Sequence, residues 1–193
     1  MKKLQPIWEE EVVFSWKNFD VIQQEYSDWE KIKLFEIAKR APWVRLIILD
    51  EKQEKILLTK EYRNEIDAFD FRLPGGKVFD TKQQRDNADY SKIEEHAIEA
   101  AKIECREETW LIAKSLDLFT VSYAWATVSW DLYYFIVDSF EVNSAGQDLW
   151  TGEVITTHWY SFKEVITLCE NWDIKEDRTL WVLFKYLLAK KAL

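Results

Sequence analysis

Three glutamates, Glu104, Glu107 and Glu108, are spaced so that they share one face of a helix. Side chains three and four residues apart on a helix are neighbours. Their like charges repel one another, and near the C-terminal end of a helix the macrodipole adds to that cost. Water, Arg106 and Lys102 offset such charge in an ordinary glutamate-rich helix. A bound Mg²⁺ or Mn²⁺, which prefers carboxylate oxygen ligands, is the functional alternative.

A second feature is the pair Gly75-Gly76, which follows an apolar segment and Pro74. The chain contains only four glycines, so two in succession are informative. A turn after a strand explains them. A backbone that must approach a ligand or a metal also explains them, because glycine has no Cβ. Together with the glutamates, the pair favours a site where a divalent cation offsets phosphate charge, lowers the pKa of bound water and orients its attack.

The order of these residues resembles the Nudix box, G-x5-E-x7-R-E-U-x-E-E-x-G-U, in which U is a bulky apolar residue. The matching residues are, in order, Gly76, Glu95, Glu104, Cys105, Glu107, Glu108 and Leu111. Every glutamate of the pattern is present. The resemblance implies an enzyme that uses Mg²⁺ or Mn²⁺ to hydrolyse the diphosphate bond of a nucleoside diphosphate derivative.

The resemblance also implies a role for individual residues. The expected metal ligands are the Gly75 carbonyl oxygen, Glu95, Glu104, Glu108 and Glu153. The expected catalytic residues are Glu104, Glu107, Glu108 and Glu153. Arg63 and Gly76 are expected to bind the substrate.

The chain departs from the pattern in three places. Ile103 stands where the box has an arginine, so the charge that usually orients the glutamates is missing. Trp110 stands where the box has its final glycine, in the position where a helix commonly ends in the left-handed conformation. Eighteen residues separate Gly76 from Glu95, where the pattern has five. A 13-residue insertion in a surface loop costs little free energy, but it changes the surroundings of the site.

Outside the box, the chain is similar to the ADP-ribose pyrophosphatase branch of the family. The apolar run that ends in Glu61-Tyr62-Arg63 matches a strand whose arginine contacts a substrate phosphate. An arginine can bind phosphate oxygens with two parallel hydrogen bonds. An ordinary exposed arginine is the competing explanation for Arg63. Arg72 stands where the branch has a glutamate, which weakens the assignment to ADP-ribose itself.

A later loop carries a further metal ligand in that branch, and Glu153 matches its position. The catalytic base of the branch has no clear counterpart: Thr151 lies at the expected place, and Asp148 is the nearest other carboxylate. Members of the branch are homodimers that use N-terminal strands in the interface. Residues 1–40 are therefore expected to form an N-terminal strand extension and a dimer interface, and residues 41–193 the Nudix hydrolase domain.

Hydrophobic periodicity predicts a mixed chain of strands and helices. The predicted strands cover residues 10–16, 31–37, 43–49, 55–59, 68–73, 118–125, 132–137 and 154–160, and the predicted helices cover residues 91–109, 161–169 and 176–190. The strands at 43–49 and 55–59 are expected to pair as a hairpin, the first of them buried on both faces. Residues 79–90 are expected to form an inserted surface loop. Ser91 is expected to cap the first helix in a capping box with Glu94.

Composition excludes several classes of protein. The net charge of -9 argues against a protein that binds duplex nucleic acid, which needs a basic face. No apolar stretch approaches the roughly 20 residues that span a bilayer, and the N-terminus has no apolar signal region. Two cysteines are too few for a disulfide framework or a zinc site, and they favour the reducing cytoplasm.

The remaining candidates are aromatic and titratable residues outside the box. Trp125, Trp130 and Trp150 fall near strand ends or loops and are candidates to stack on a base. With 11 tryptophans in the chain, most must instead belong to the core or to an interface. His96 and His158 lie in no nucleophile or zinc arrangement and are expected to be structural, and Cys169 is expected to be a core residue.

The sequence therefore predicts a mixed α/β (α+β) protein with the Nudix-type α/β/α sandwich, a mixed central sheet and an N-terminal strand extension. The leading hypothesis is an Mg²⁺-dependent hydrolase of ADP-ribose or a nucleotide sugar that releases a nucleoside monophosphate and a sugar phosphate. One alternative substrate is a nucleoside triphosphate or a dinucleotide polyphosphate. A second alternative is a Nudix-fold module that binds a nucleotide without turnover, with Ile103 and Trp110 as signs of a decayed site.

Overall fold

The computed structural model describes residues 4–27, 30–124, 126–149 and 154–191. The strands are β1 (Gln5–Pro6), β2 (Glu11–Ser15), β3 (Phe19–Ser27), β4 (Ile32–Arg40), β5 (Trp43–Ile48), β6 (Lys55–Arg63), β7 (Ala68–Arg72), β8 (Leu111–Ala113), β9 (Asp117–Ser122), β10 (Val128–Ser129), β11 (Leu132–Val137), β12 (Phe140–Val142) and β13 (Ile155–Ser161). The helices are α1 (Lys82–Asn87), α2 (Ile93–Thr109), α3 (Phe162–Glu170) and α4 (Asp177–Ala189). Within the described ranges, no helix combines the length and the apolar character needed to cross a membrane.

Strand β5 is the centre of the fold because both of its faces are buried. Val44, Leu46 and Ile48 lie in a core cluster that also contains the apolar face of α2. Ile47 and Leu49 lie in a second cluster, with apolar residues of α3 and α4. Successive side chains of a strand point to opposite faces. Each fully buried apolar side chain contributes about 1.5–3 kcal/mol to the free energy of folding. The two clusters confirm the predicted mixed fold, with sheets between helical layers.

The strands around β5 form mixed sheets, but the predicted hairpin is wrong. β5 pairs in parallel with β11, which pairs on its other side with antiparallel β9. β6 belongs to another sheet, between the antiparallel strands β13 and β7. β5 and β6 share only the bridge between Leu49 and Ile56. The turn between these strands is visible in the local sequence. The strands β11 and β13, with which β5 and β6 form their longest ladders, lie farther away along the chain.

The N-terminal strands build a sheet of their own. β3 and β4 pair antiparallel over their full lengths, β1 and β2 pair with β3, and the short β10 pairs in parallel with β4. The sequence did not predict β3. Only Ile22 of its nine residues is buried, so polar residues obscure the alternation that marks a strand.

The insertion after Gly76 is not the loop predicted for residues 79–90. It contains α1, which Thr81 caps in a capping box with Gln84. Arg85 of this helix is buried and pairs with Asp20 of β3. Lys82 lies 3.4 Å from the same carboxylate. These ion pairs dock the insertion on the N-terminal sheet. A helix of six residues is too short to show hydrophobic periodicity, and its stability comes from contacts with distant residues.

Helix α2 carries the box glutamates and ends where predicted, but it begins differently. Asp89 caps a single 3-10 turn, Tyr90–Lys92, and the helix continues from Ile93 without a side-chain cap. The predicted capping box at Ser91 is therefore wrong. At the other end Trp110 adopts the left-handed conformation with φ 54°, which costs a side-chain-bearing residue free energy. Its ring packs against the core cluster beneath α2.

Candidate active site

A cavity of about 450 Å³ lies where β5, the segment after β7, α2 and the loop after β12 converge. Charged residues of both signs line it. The acidic residues are Glu61 and a group, named the acidic wall, of Asp80, Glu104, Glu107, Glu108 and Asp148. The basic residues that line it are Lys17, Arg45, Arg63, Arg72 and Lys77. A cavity lined by both kinds of charge can hold an anion together with a cation.

The glycine pair also lines this cavity. Pro74 and Gly76 accept hydrogen bonds from the β5 amides of Leu46 and Val44, both at 2.9 Å. Gly75 has φ +138°, a conformation that side-chain-bearing residues rarely adopt. A Cβ on Gly75 would lie 2.3 Å from the Val44 carbonyl oxygen. The sequence requires glycine here because the backbone itself runs against β5.

Glu104 lies directly over Gly76. A Cβ on Gly76 would lie 2.1 Å from Oε1 of Glu104, so this glycine makes room for the carboxylate. Burial, together with the neighbouring charges of Glu108 and Glu107, raises the pKa of Glu104 to about 8, while Arg45 opposes the shift. The buried carboxylate therefore lacks full compensation for its negative charge among the protein groups around it.

The other two glutamates are tied to the loops around the cavity. The Gly75 amide donates a hydrogen bond to Oε2 of Glu108 at 2.8 Å. The backbone carbonyl of Glu107 accepts from the amide of Asp148 at 3.0 Å, and the carbonyl of Glu108 accepts from the side chain of Gln147. The loop after β12 is thus held against the C-terminal end of α2. This contact brings Asp148 to the cavity.

Arg45 is a charged residue in the centre of the buried strand, with 1% of its side chain exposed. Its guanidinium donates to the carbonyl oxygens of Gly75 at 2.9 Å and Val44 at 3.1 Å, and to Glu176 at 3.1 Å. Although burial raises the pKa of Glu176, Arg45 and other partners hold it below its usual value. Sequence reasoning missed Arg45, although a single charge within an apolar strand was a signal.

Arg63 and Arg72 complete the basic wall. Arg63 is held between the carboxylates of Glu61, at 2.9 Å, and Glu65, at 2.7 Å. Arg72 lies 3.1 Å from Asp70, and burial, with the nearby charge of Arg45, lowers its pKa. Arg63 lines the cavity, where a substrate-binding residue is expected. Its guanidinium already has two acidic partners.

The structure brings together most but not all of the predicted site residues. Gly75, Gly76, Arg63 and the three later box glutamates line the cavity. Glu95 does not: it is exposed in the first turn of α2 and lies outside the cavity wall. Glu153 and Thr151 lie outside the described residues. Asp80 lines the cavity although the sequence did not single it out.

The aromatic candidates are placed differently. Trp130 does not line the cavity; its ring lies between the guanidinium groups of Arg40, at 4.1 Å, and Arg178, at 4.4 Å. Trp125 and Trp150 lie outside the described residues. Trp43, which the sequence placed in a buried strand, lines the cavity.

The carboxylates fit a divalent metal by donor type. Their oxygens are hard ligands of the kind Mg²⁺ prefers, and a cation offsets the charge that raises the Glu104 pKa. Among residues 4–27, 30–124, 126–149 and 154–191, however, no three acidic, histidine or cysteine side chains are close enough together to hold an ion. The described residues that would hold a metal are Glu104, Glu107, Glu108 and the Gly75 carbonyl.

Comparisons with known proteins identify the family and the fold. The family model described as the NUDIX domain matches residues 39–181. No curated protein sequence matches the chain. A solved structure described as the crystal structure of an ADP compounds hydrolase is similar in fold, with a TM-score of 0.72 and 16% sequence identity. The match covers 100% of this chain and 98% of that one. The chain belongs to the Nudix domain family and is a Nudix hydrolase.

Proposed function

We propose that this Nudix hydrolase uses Mg²⁺ to cut the diphosphate bond of a nucleoside diphosphate derivative, such as ADP-ribose or a nucleotide sugar. One observation carries the proposal: carboxylates and the cationic side chains of arginines and lysines line the same cavity. A diphosphate needs cations along its oxygens, and a metal needs the carboxylates. The products are a nucleoside monophosphate and a sugar phosphate.

The chain's own residues have separate tasks in this mechanism. Arg63 and Arg72 hold the non-bridging phosphate oxygens, and the fixed backbone of Gly75 and Gly76 sets the position of the carboxylates. Glu104 and Glu108 hold the metal, with Glu107 in support. Mg²⁺ supplies charge neutralisation and lowers the pKa of bound water. Glu153 is proposed as a further carboxylate of the site, by family resemblance alone.

The base that accepts a proton from the attacking water is a separate assignment. Asp148 is a candidate because it lines the cavity and its backbone is hydrogen-bonded to α2. Glu107 is the other candidate on the acidic wall. A general base must lie within hydrogen-bond reach of the water that it deprotonates. Both carboxylates line the cavity, which is a precondition for reaching that water.

The structural relative supports this substrate class. Its description names ADP compounds as its substrates, and the two chains share a fold over their full lengths. A nucleoside triphosphate or dinucleotide polyphosphate is the second candidate substrate, because a metal and a basic wall serve any polyphosphate. Nucleotide binding without turnover is the third, since Ile103 leaves the box without its arginine.

The test is phosphomonoester release from ADP-ribose, nucleotide sugars and nucleoside triphosphates with Mg²⁺, for the parent protein and Glu108→Gln. We expect the substitution to reduce kcat by at least about a thousandfold, because it removes one negative charge from the metal site. Glu99→Gln is the matched control: Glu99 lies on the same helix but pairs with Lys102 at the surface. It should retain full activity.

The possible results separate the three candidates. Turnover of ADP-ribose or a nucleotide sugar by the parent and by Glu99→Gln, but not by Glu108→Gln, supports the proposal. Preference for a triphosphate or a dinucleotide points to the second candidate. Folded protein that binds nucleotides and turns over none of the compounds with Mg²⁺ or Mn²⁺ leaves only the binding module.

We also propose that residues 1–40 form a homodimer interface. The N-terminal sheet exposes large apolar side chains on both of its faces, each by 40–64% (Val12, Val13, Phe14, Trp16, Ile32, Leu34 and Phe35). Large apolar side chains left exposed together mark an interaction site. A second copy of the same surface is a natural partner, because most soluble oligomers are symmetric.

The two cysteines, both free and buried, fit the proposed cytoplasmic location.

Replacing Phe14 with lysine should shift the protein from dimer to monomer. Its exposed ring stacks on Trp16, and a charge there opposes burial in an interface. Light scattering after size-exclusion chromatography measures the mass. Trp181→Lys is the control, since Trp181 is 72% exposed on α4, on another element. A parent that is monomeric at micromolar concentration would contradict the proposal.

A further inference from the structure

A small basic pocket opens beside the main cavity. It has a volume of about 30 Å³ and shares Lys17, Trp43, Lys77 and Asp80 with that cavity. The basic residues in its lining are Lys17, Arg40, Lys77, Lys82 and Arg85, and Asp80 is the one acidic residue. The whole chain has a net charge of -9. The pocket is therefore locally basic in a protein whose net charge is negative.

The walls of the pocket come from the two parts of the chain that lie outside the Nudix box. Lys17 lies in the turn between β2 and β3, and Lys82 and Arg85 belong to α1 of the insertion. Asp20 joins these parts: it accepts from the hydroxyl of Ser15 at 2.6 Å and pairs with Arg85. The insertion therefore forms a docked wall of the pocket.

The cations in the pocket differ in whether they are already paired. Arg85 and Lys82 pair with Asp20 and Asp86, and Arg40 lies over the ring of Trp130. Lys17 and Lys77 have no side-chain partner among the residues that the structure describes. An ammonium group is a compact charge with three donors, suited to phosphate oxygens. Two such groups face the junction of the pocket and the cavity.

We propose that Lys17 and Lys77, at the junction of this pocket and the main cavity, bind a phosphate monoester that the substrate carries in addition to its diphosphate. The inference rests on the proposed function and narrows its substrate class. Arg45, Arg63 and Arg72 line the main cavity, where the proposed cleavage takes place, and not the pocket. Lys17 and Lys77 line both spaces, so they reach an anionic group that extends from the diphosphate toward α1.

The test compares two substrates that differ by one phosphate, ADP-ribose and ADP-ribose 2′-phosphate. The parent protein should have a kcat/KM about tenfold higher for the phosphorylated compound, since charge-assisted contacts strengthen its binding. Lys17→Gln should bring the ratio of the two kcat/KM values close to one. Lys52→Gln, in the exposed turn between β5 and β6, should keep the parent's ratio.

The ratio tests the pocket separately from the reaction. Equal kcat/KM values for both compounds in the parent, or an unchanged preference in Lys17→Gln, would overturn the inference even if hydrolysis is fast. If the parent hydrolyses neither compound, ADP-ribose is not its substrate, and calorimetric Kd values for the same pair decide on the pocket. Binding about tenfold tighter for the phosphorylated compound, lost in Lys17→Gln alone, then supports it.

Discussion

Replacing Glu104 with glutamine should abolish metal-dependent hydrolysis and, in the metal-free protein, raise the free energy of unfolding at alkaline pH. Both effects come from the same carboxylate. It lies half-buried over Gly76, beside the charges of Glu107 and Glu108, so its charge suits the proposed metal and carries a cost when no metal is bound. We expect kcat to fall by at least about a thousandfold.

The stability effect depends on pH in a defined direction. The pKa of Glu104 is raised from 4.5 to about 8 in the folded protein. Its contribution to stability is fully present below about pH 4.5 and is lost as the pH rises to about 8. Glutamine does not ionise and avoids this loss. Because one pKa unit corresponds to about 1.36 kcal/mol, the substitution should stabilise the metal-free protein by on the order of 3 kcal/mol at pH 8.5.

Urea unfolding at pH 5 and pH 8.5, with a chelator present, measures this difference. Glu99→Gln should follow the parent at both pH values, because Glu99 is a paired surface residue of the same helix. Adding Mg²⁺ should stabilise the parent at pH 8.5 but not Glu104→Gln. Unfolding free energies of Glu104→Gln that run parallel to those of the parent across this pH range would refute the account of the buried charge.

The chemistry of the acidic wall could be predicted from sequence because it is local. Glu104, Glu107 and Glu108 share a face for reasons of helix geometry alone, and a Gly-Gly pair in a glycine-poor chain marks a close approach of the backbone. Predicted elements that depend on strong local patterns were also confirmed. Strand β11 has the predicted bounds, and α3 and α4 agree to within about one residue.

The rest of the site depends on contacts between distant residues. Arg45 and Glu176 are paired across the fold, and neither has a neighbour in sequence that reveals the partner. The docking of α1 depends on Asp20, which belongs to a strand that the sequence did not predict. Glu95 has the spacing of the box to the later glutamates but not to Gly76. It lies in the exposed first turn of α2, away from the cavity, so spacing alone did not place it at the site.

The adjacent glycines should respond to alanine in opposite ways. Gly75→Ala should destabilise the protein by roughly 3 kcal/mol or more, because its φ of +138° is strained for alanine. Its Cβ would also meet the backbone of Val44 at 2.3 Å, and a central buried strand cannot move cheaply. Thermal unfolding should show the loss directly, with or without metal.

Gly76→Ala should instead spare the fold and damage the site. Its new Cβ would meet the end of the Glu104 side chain at 2.1 Å, well inside the roughly 3.5–4.0 Å of ordinary contact. That flexible side chain can move, so the change in unfolding free energy should stay below about 1 kcal/mol. A carboxylate displaced by about 1 Å is expected to lower kcat/KM about a hundredfold.

Gly146→Ala separates backbone strain from steric contact. Gly146 has φ +81°, but a Cβ there would meet nothing within 4 Å, so alanine should cost only about 1 kcal/mol. Gly75 combines both effects, Gly146 has only the strain, and Gly76 has only the contact with the Glu104 side chain. If Gly76→Ala kept full activity, Glu104 could not hold its metal from the position above Gly76, and the assignment of the acidic wall would have to change. If it lost stability as Gly75→Ala does, the glycine pair would be a structural turn whose second residue also supports the fold.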